Sequence, residues 1–168
     1  MGLQATATQL TRGPATLVSP VPADGRHVRS VRLAALPSAV PWARRVLRHM
    51  LHEWRLESMT EPAALLVSEL VTNAVEASAG RVGGDHGKLP VIGLTIRLTA
   101  ASLALEVWDA SPLRPVPQKV DIAVDHGRGL LLIDALADSW GHRAADGGKI
   151  VWCELAVPPA SDSTSAAS

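Results

Sequence analysis

The sequence predicts a two-layer α/β sandwich, with a mixed, mostly antiparallel sheet and helices on one face. Three observations carry that expectation. Stretches of alternating apolar and polar residues come in pairs joined by short turns, the connection that antiparallel neighbours use. Two long stretches with apolar residues at helical spacing separate the first strand from those pairs. A third, shorter apolar helix precedes the last pair, so strands and helices are interleaved within one domain.

Val28 to Leu33 alternates imperfectly and reads as the first strand. Ser38 is placed to cap a helix running to about Arg55, in which Val40, Ala43, Leu47, Met50, Leu51 and Trp54 form the apolar stripe. Arg44, Arg45, Arg48, His52 and Arg55 lie mostly on its other side. Thr60-Glu61-Pro62 opens a second helix with a capping hydroxyl, an acid at the positive end of the dipole and a first-turn proline. That helix runs to about Ala79, where Gly80 stops it. Arg81 to Leu89 reads as a loop. Ile92 to Leu98 and Leu103 to Trp108 alternate and form a hairpin around Thr99 to Ser102. Ser111 to His126 is broken by prolines and forms no element. Gly129 to Asp138 reads as a short helix, and Ser139 to Arg143 and Lys149 to Val157 as strands turning around Asp146-Gly147-Gly148.

Length and composition bound the rest. The chain's 168 residues, 47% of them hydrophobic, suit a single core spanning residues 27–157. Residues 1–26 are expected to form a mobile extension and 158–168 a disordered tail, since both are rich in small and polar residues without a period. Five Trp stand with no Phe or Tyr, so Leu, Val, Ile and Ala must fill the core. Sixteen basic and sixteen acidic residues give no net charge, which argues against direct nucleic-acid binding through clustered charge. No apolar run is long enough to cross a bilayer, and the N-terminus lacks a signal-peptide pattern, so a cytoplasmic, non-membrane protein is expected. The single cysteine, Cys153, lies in a strand-like run and reads as a core residue. The histidines are scattered, and no pair of them has metal-ligand spacing with an acid.

Three features carry chemistry. Glu69 and Asn73 are four residues apart in the second helix, so they share a face beside Leu66, Leu70 and Ala74. A partly buried carboxylate and amide need partners: an amide oxygen can hold a magnesium ion whose other ligands are phosphate oxygens, and the carboxylate can deprotonate a hydroxyl. Alone, the pair reads rather as a helix-face polar pair bonded to a neighbouring strand. Asp109 follows a strand that ends at Trp108 and can accept from the amino group of adenine, where guanine presents a repelling carbonyl; alone, it is a turn aspartate before a proline. Gly127-Arg128-Gly129-Leu130 opens a helix, with glycines that let backbone amides approach an anion and an arginine able to add a charged contact. Alone, a Gly-x-Gly is an ordinary turn.

In this order the features resemble the nucleotide site of the GHKL superfamily of Bergerat-fold ATPases, and more closely the small anti-sigma-factor serine kinases and their actinobacterial relatives. Ser68-Glu69-Leu70-Val71-Thr72-Asn73-Ala74-Val75 resembles the N box, and Val107-Trp108-Asp109-Ala110-Ser111-Pro112 the adenine-side box. Gly127-Arg128-Gly129-Leu130 with Trp140-Gly141 resembles the second glycine box, and Gly148-Lys149-Ile150-Val151-Trp152 the terminal strand motif. The resemblance spans roughly Val28 to Val157.

It implies ATP and Mg2+ as cofactors. Asn73 would ligate magnesium, Glu69 would be the catalytic base, and Asp109 would bind the adenine amino group. Gly127, Arg128, Gly129 and Leu130 would wrap the phosphates, with Ser111 to His126 as a lid. The activity implied is a serine/threonine protein kinase acting on a small anti-sigma-factor antagonist. The alternative is a non-catalytic, nucleotide-gated module that sequesters a sigma factor or other regulator. A homodimer is compatible with either. The sequence departs from its relatives at Glu76 and Ala77, where a basic residue and His are frequent, and at Ile150, where Thr is frequent and helps hold adenine through water.

Overall fold

The structure is a computed structural model that describes residues 15–18, 27–79, 89–111 and 128–158. Its elements are β1 (Ala15–Val18), β2 (His27–Ala34), α1 (Ala39–Glu53), a 3-10 turn (Glu57–Met59), α2 (Thr60–Ala79), β3 (Val91–Leu98), β4 (Ser102–Asp109), α3 (Arg128–Leu136), β5 (Ser139–Ala145) and β6 (Gly148–Ala156). The strands form one sheet in the order β1-β2-β3-β4-β6-β5, and every neighbouring pair is antiparallel. The two-layer α/β class holds, and the sheet is antiparallel throughout rather than mixed.

Register decides which residues meet the helices. Directly paired residues of antiparallel strands point to the same face. Val31 pairs with Leu94, Leu33 with Ile92, Ile96 with Leu105, Leu105 with Cys153 and Val107 with Val151, and all of these are buried. The opposite face carries Ser30, Thr95, Arg97, Glu106 and Arg143: Ser30 and Thr95 share a hydrogen bond of 2.9 Å, and Glu106 accepts from Arg143 at 2.7 Å. The sheet is therefore apolar toward the helices, while its other face mixes these polar groups with Trp108, Ile150 and Trp152.

α2 is the central helix. It packs on α1, on α3 and on β3, β4 and β6, and Ala63, Leu66, Val67, Leu70, Val71 and Ala74 are its buried stripe. Fully burying one such leucine is worth about 1.5–3 kcal/mol, so α2 is the element whose placement the core fixes best. α1 contributes Ala43, Leu47, Met50 and Leu51, all at helical spacing, as the sequence indicates. Ser38 sits at its N-cap position, yet its hydroxyl makes no capping bond because the residue already has helical dihedrals. At the other end the chain leaves α1 through Arg55, a non-glycine residue with φ of 57°, which lets Leu56 N–H reach back to the carbonyl of Leu51.

Two details differ from the sequence reading. β1 lies inside the stretch expected to be a mobile extension and pairs with β2 from Ala15↔Leu33 to Val18↔Ser30. Four residues are too few for a period to stand out, and it is the open backbone edge of β2 that makes them a strand. The β5–β6 turn is tighter than expected: Asp146 and Gly147 make it, with Gly147 at φ 68°, and Gly148 already belongs to β6. Cys153 is a core residue, fully buried, with its thiol pushed up to about 12 by burial and then by Glu154. Among the described residues, no helix is long and apolar enough to cross a membrane.

Candidate functional site

The candidate residues gather around two places, the C-terminal half of α2 and the end of β4. Glu69 and Asn73 both lie on α2, as the four-residue spacing requires, and Glu76 falls on the same side one turn further on. Glu69 is half-buried. Its carboxyl is held above the usual carboxylate range, first by burial and second by repulsion from Glu76.

Asn73 has a different problem. Its amide nitrogen is buried and finds no hydrogen-bond partner among the described residues. Its neighbours on the helix show that this is not forced by the position. Ser68 donates its hydroxyl to the carbonyl of Ala64 at 2.6 Å, and Ser78 to that of Ala74 at 2.7 Å, so short polar side chains on α2 can satisfy themselves against their own helix. Asn73 does not. An unpaired buried N–H costs about 1–3 kcal/mol, which makes Asn73 a candidate for a group met by a ligand.

Asp109 ends β4 on the helix-facing side of the sheet and is almost completely enclosed, at 1% exposure. It is already bonded. Lys149 Nζ donates to its Oδ1 at 2.8 Å, and the backbone N–H of Ser111 donates to the same oxygen at 2.8 Å. The sheet itself makes the pair, since Asp109 lies opposite Lys149 in the β4–β6 ladder. Gly148 is required beside it: a Cβ there would run into the backbone carbonyl of Asp109. Sequence reading singled out Gly148-Lys149 as part of a motif without a role for Lys149. The signal that would have found it is the strand register, which no single-strand pattern reveals.

The register also corrects one expectation. Ile150 lies opposite Trp108, one residue out of phase with Asp109, and so faces away from α2. A hydroxyl at that position would not share a face with Asp109; the residue of β6 that does so is Lys149.

Arg128, Gly129 and Leu130 form the first turn of α3, which packs against α2. Backbone N–H groups of a first helical turn lack intrahelical partners and suit an anion. Gly127, and the expected lid apart from Ser111, lie outside the described residues. The fold thus places an amide and a carboxylate on α2, a helix N-terminus on α3 and a buried ion pair on the helix-facing side of β4 and β6, with α2 packed against all three of those elements.

A family model, the histidine kinase-like ATPase domain, matches residues 33–154. The chain belongs to that family. The match runs from β2 to β6 and contains every candidate site residue. Membership implies that this domain binds ATP, and the antiparallel sheet with its covering helices is the corresponding GHKL-type fold. No curated protein matches the chain.

Proposed function

We propose that the chain binds ATP with magnesium between α2, α3 and the β4–β6 end of the sheet. There it transfers the γ-phosphate to a serine or threonine hydroxyl of a small regulatory protein, as an anti-sigma-factor kinase acts on its antagonist. The observation that carries the reading is Asn73, whose side chain lies one helical turn from a half-buried carboxylate and whose amide nitrogen is buried without a partner among the described residues.

The donor set fits magnesium. An amide oxygen is a hard ligand, and the ion ordinarily keeps waters and phosphate oxygens for its remaining positions. When bound, it would neutralise charge on the phosphates. The chain's own residues do the rest. Asp109 accepts from the amino group of adenine and excludes guanine, whose carbonyl would face the carboxylate. The first turn of α3, from Arg128 through Gly129 to Leu130, lends backbone N–H groups to the phosphates. Glu69 takes the proton of the attacking hydroxyl as its oxygen bonds to the γ-phosphorus and ADP departs with the bridging oxygen. The raised affinity of Glu69 for a proton suits it to that task. We place this chemistry in the cytoplasm, where ATP and transcription regulators meet.

Incubation with labelled ATP, magnesium and candidate antagonist proteins tests the reading. Wild type is expected to label an antagonist, and Glu69→Gln to bind ATP normally while losing transfer by about 10²–10⁴-fold. Equal transfer by both proteins removes Glu69 from the role. Binding of a sigma factor that depends on ATP, without any transfer, replaces the kinase by a nucleotide-gated binding module.

A further inference from the structure

The proposed adenine site rests on Asp109 alone, yet Asp109 is half of a buried pair. Lys149 is only 8% exposed, and among the described residues its ammonium has one acceptor, Asp109 Oδ1. An ammonium has three N–H donors. Two of them remain to be placed in an enclosed setting where an unmet donor is costly. Their position is fixed: the β4–β6 ladder sets Lys149 opposite Asp109 on the helix-facing side, and the two donors to Asp109, Lys149 Nζ and Ser111 N–H, converge on one carboxylate oxygen. The result is a donor beside a carboxylate, with Lys149 Nζ 2.8 Å from Oδ1 and Oδ2 as the oxygen that these two bonds do not use.

We propose that Lys149 and Asp109 read the base together, Asp109 accepting from the exocyclic amino group of adenine and Lys149 donating to the adjacent ring nitrogen N1. The Watson–Crick edge of adenine presents a donor beside an acceptor, the complement of this pair. Guanine presents a carbonyl beside an N–H, so that both contacts become repulsive at once. A single acceptor discriminates through one group; a fixed acceptor–donor pair discriminates through two. Lys149 is in this sense a specificity-determining residue. Ile150, which points to the other face of the sheet, cannot contribute.

This inference rests on the proposed ATP site, and its test separates the two. Calorimetric titrations compare ATP with 1-deaza-ATP, which keeps the amino group and replaces N1 by C–H. Wild type is expected to bind the analogue roughly tenfold more weakly, and Lys149→Met to bind both nucleotides alike. A residue that merely held Asp109 in place would, when lost, weaken both nucleotides equally and leave the tenfold gap intact. That gap persisting in Lys149→Met, or its absence from wild type, overturns the proposal while leaving the ATP site standing. Failure of wild type to bind ATP defeats the site itself. If thermal melting shows that Lys149→Met does not fold, Lys149→Gln, which keeps a neutral donor towards Asp109, takes its place, and the wild-type comparison decides in either case.

Discussion

The two polar places in this domain are finished to different degrees. At the end of β4, Asp109 is enclosed and bonded by a lysine and a backbone N–H. On α2, burial and then Glu76 raise the proton affinity of Glu69, and the amide nitrogen of Asn73 is buried without a partner among the described residues. At the β4 end the carboxylate is met by the protein itself; on α2 the amide nitrogen is not, among the described residues. A site that recognises a rigid base gains from groups locked before it arrives, because little ordering remains to be done on binding. In the proposed reading the α2 place handles phosphates and a cation, and its carboxylate is balanced only when the cation is bound. In the proposed site, the difference separates a carboxylate already met by the protein from an amide and a carboxylate left for the ligand.

The comparison breaks most readily at Asp109. Asp109→Ala leaves the Lys149 ammonium buried without its partner, and a loss of about 3–5 kcal/mol in urea unfolding is expected. Most of it should return in the double variant Asp109→Ala/Lys149→Met, which removes the charge along with its partner. A loss below about 1 kcal/mol in the single variant would mean that Lys149 reaches water and the pair is not closed.

At Asn73 the expectation has the opposite sign. Asn73→Leu replaces an unsatisfied amide by an apolar group of similar size, so stability should stay within about 1 kcal/mol of wild type or rise. The magnesium-dependent part of ATP affinity should vanish in the same variant, measured by titration with and without the ion. A large loss of stability would show that the amide is bonded in solution and belongs to the fold.

The smallest effect concerns Glu69 and pH. Its carboxyl is raised in the folded state, so its contribution to stability is fully present below the ordinary carboxylate range and is lost as pH rises through the raised value. Wild type is therefore expected to melt progressively lower, relative to Glu69→Gln, as pH increases across that window in nucleotide-free protein. Parallel curves for the two proteins would show that the carboxylate is relaxed, and that the α2 face is no less settled than the β4 end.

Most of the architecture could be read without coordinates, because each element declared itself locally. The stripe of Leu66, Leu70 and Ala74 made α2 a helix with Glu69 and Asn73 on one side, and the alternation of Ile92, Leu94 and Ile96 made β3 a strand with one buried face. These are properties of a few consecutive residues, and spacing alone determines them. β1 escaped notice since four residues carry no period, and the capping role of Ser38 did not materialise because dihedrals, not residue type, decide whether a hydroxyl can reach an N–H. The pairing of Lys149 with Asp109 belongs to a different category. The two are forty residues apart, and each strand by itself leaves its register and inward face open. A shift of one residue would have set Ile150 beside Asp109 and turned Lys149 outward. The sequence determined which groups this protein owns and which share a helix face; only the closed sheet, by fixing register through the buried row of Leu103, Leu105 and Val107 against Leu155, Cys153 and Val151, decided which cation meets which carboxylate.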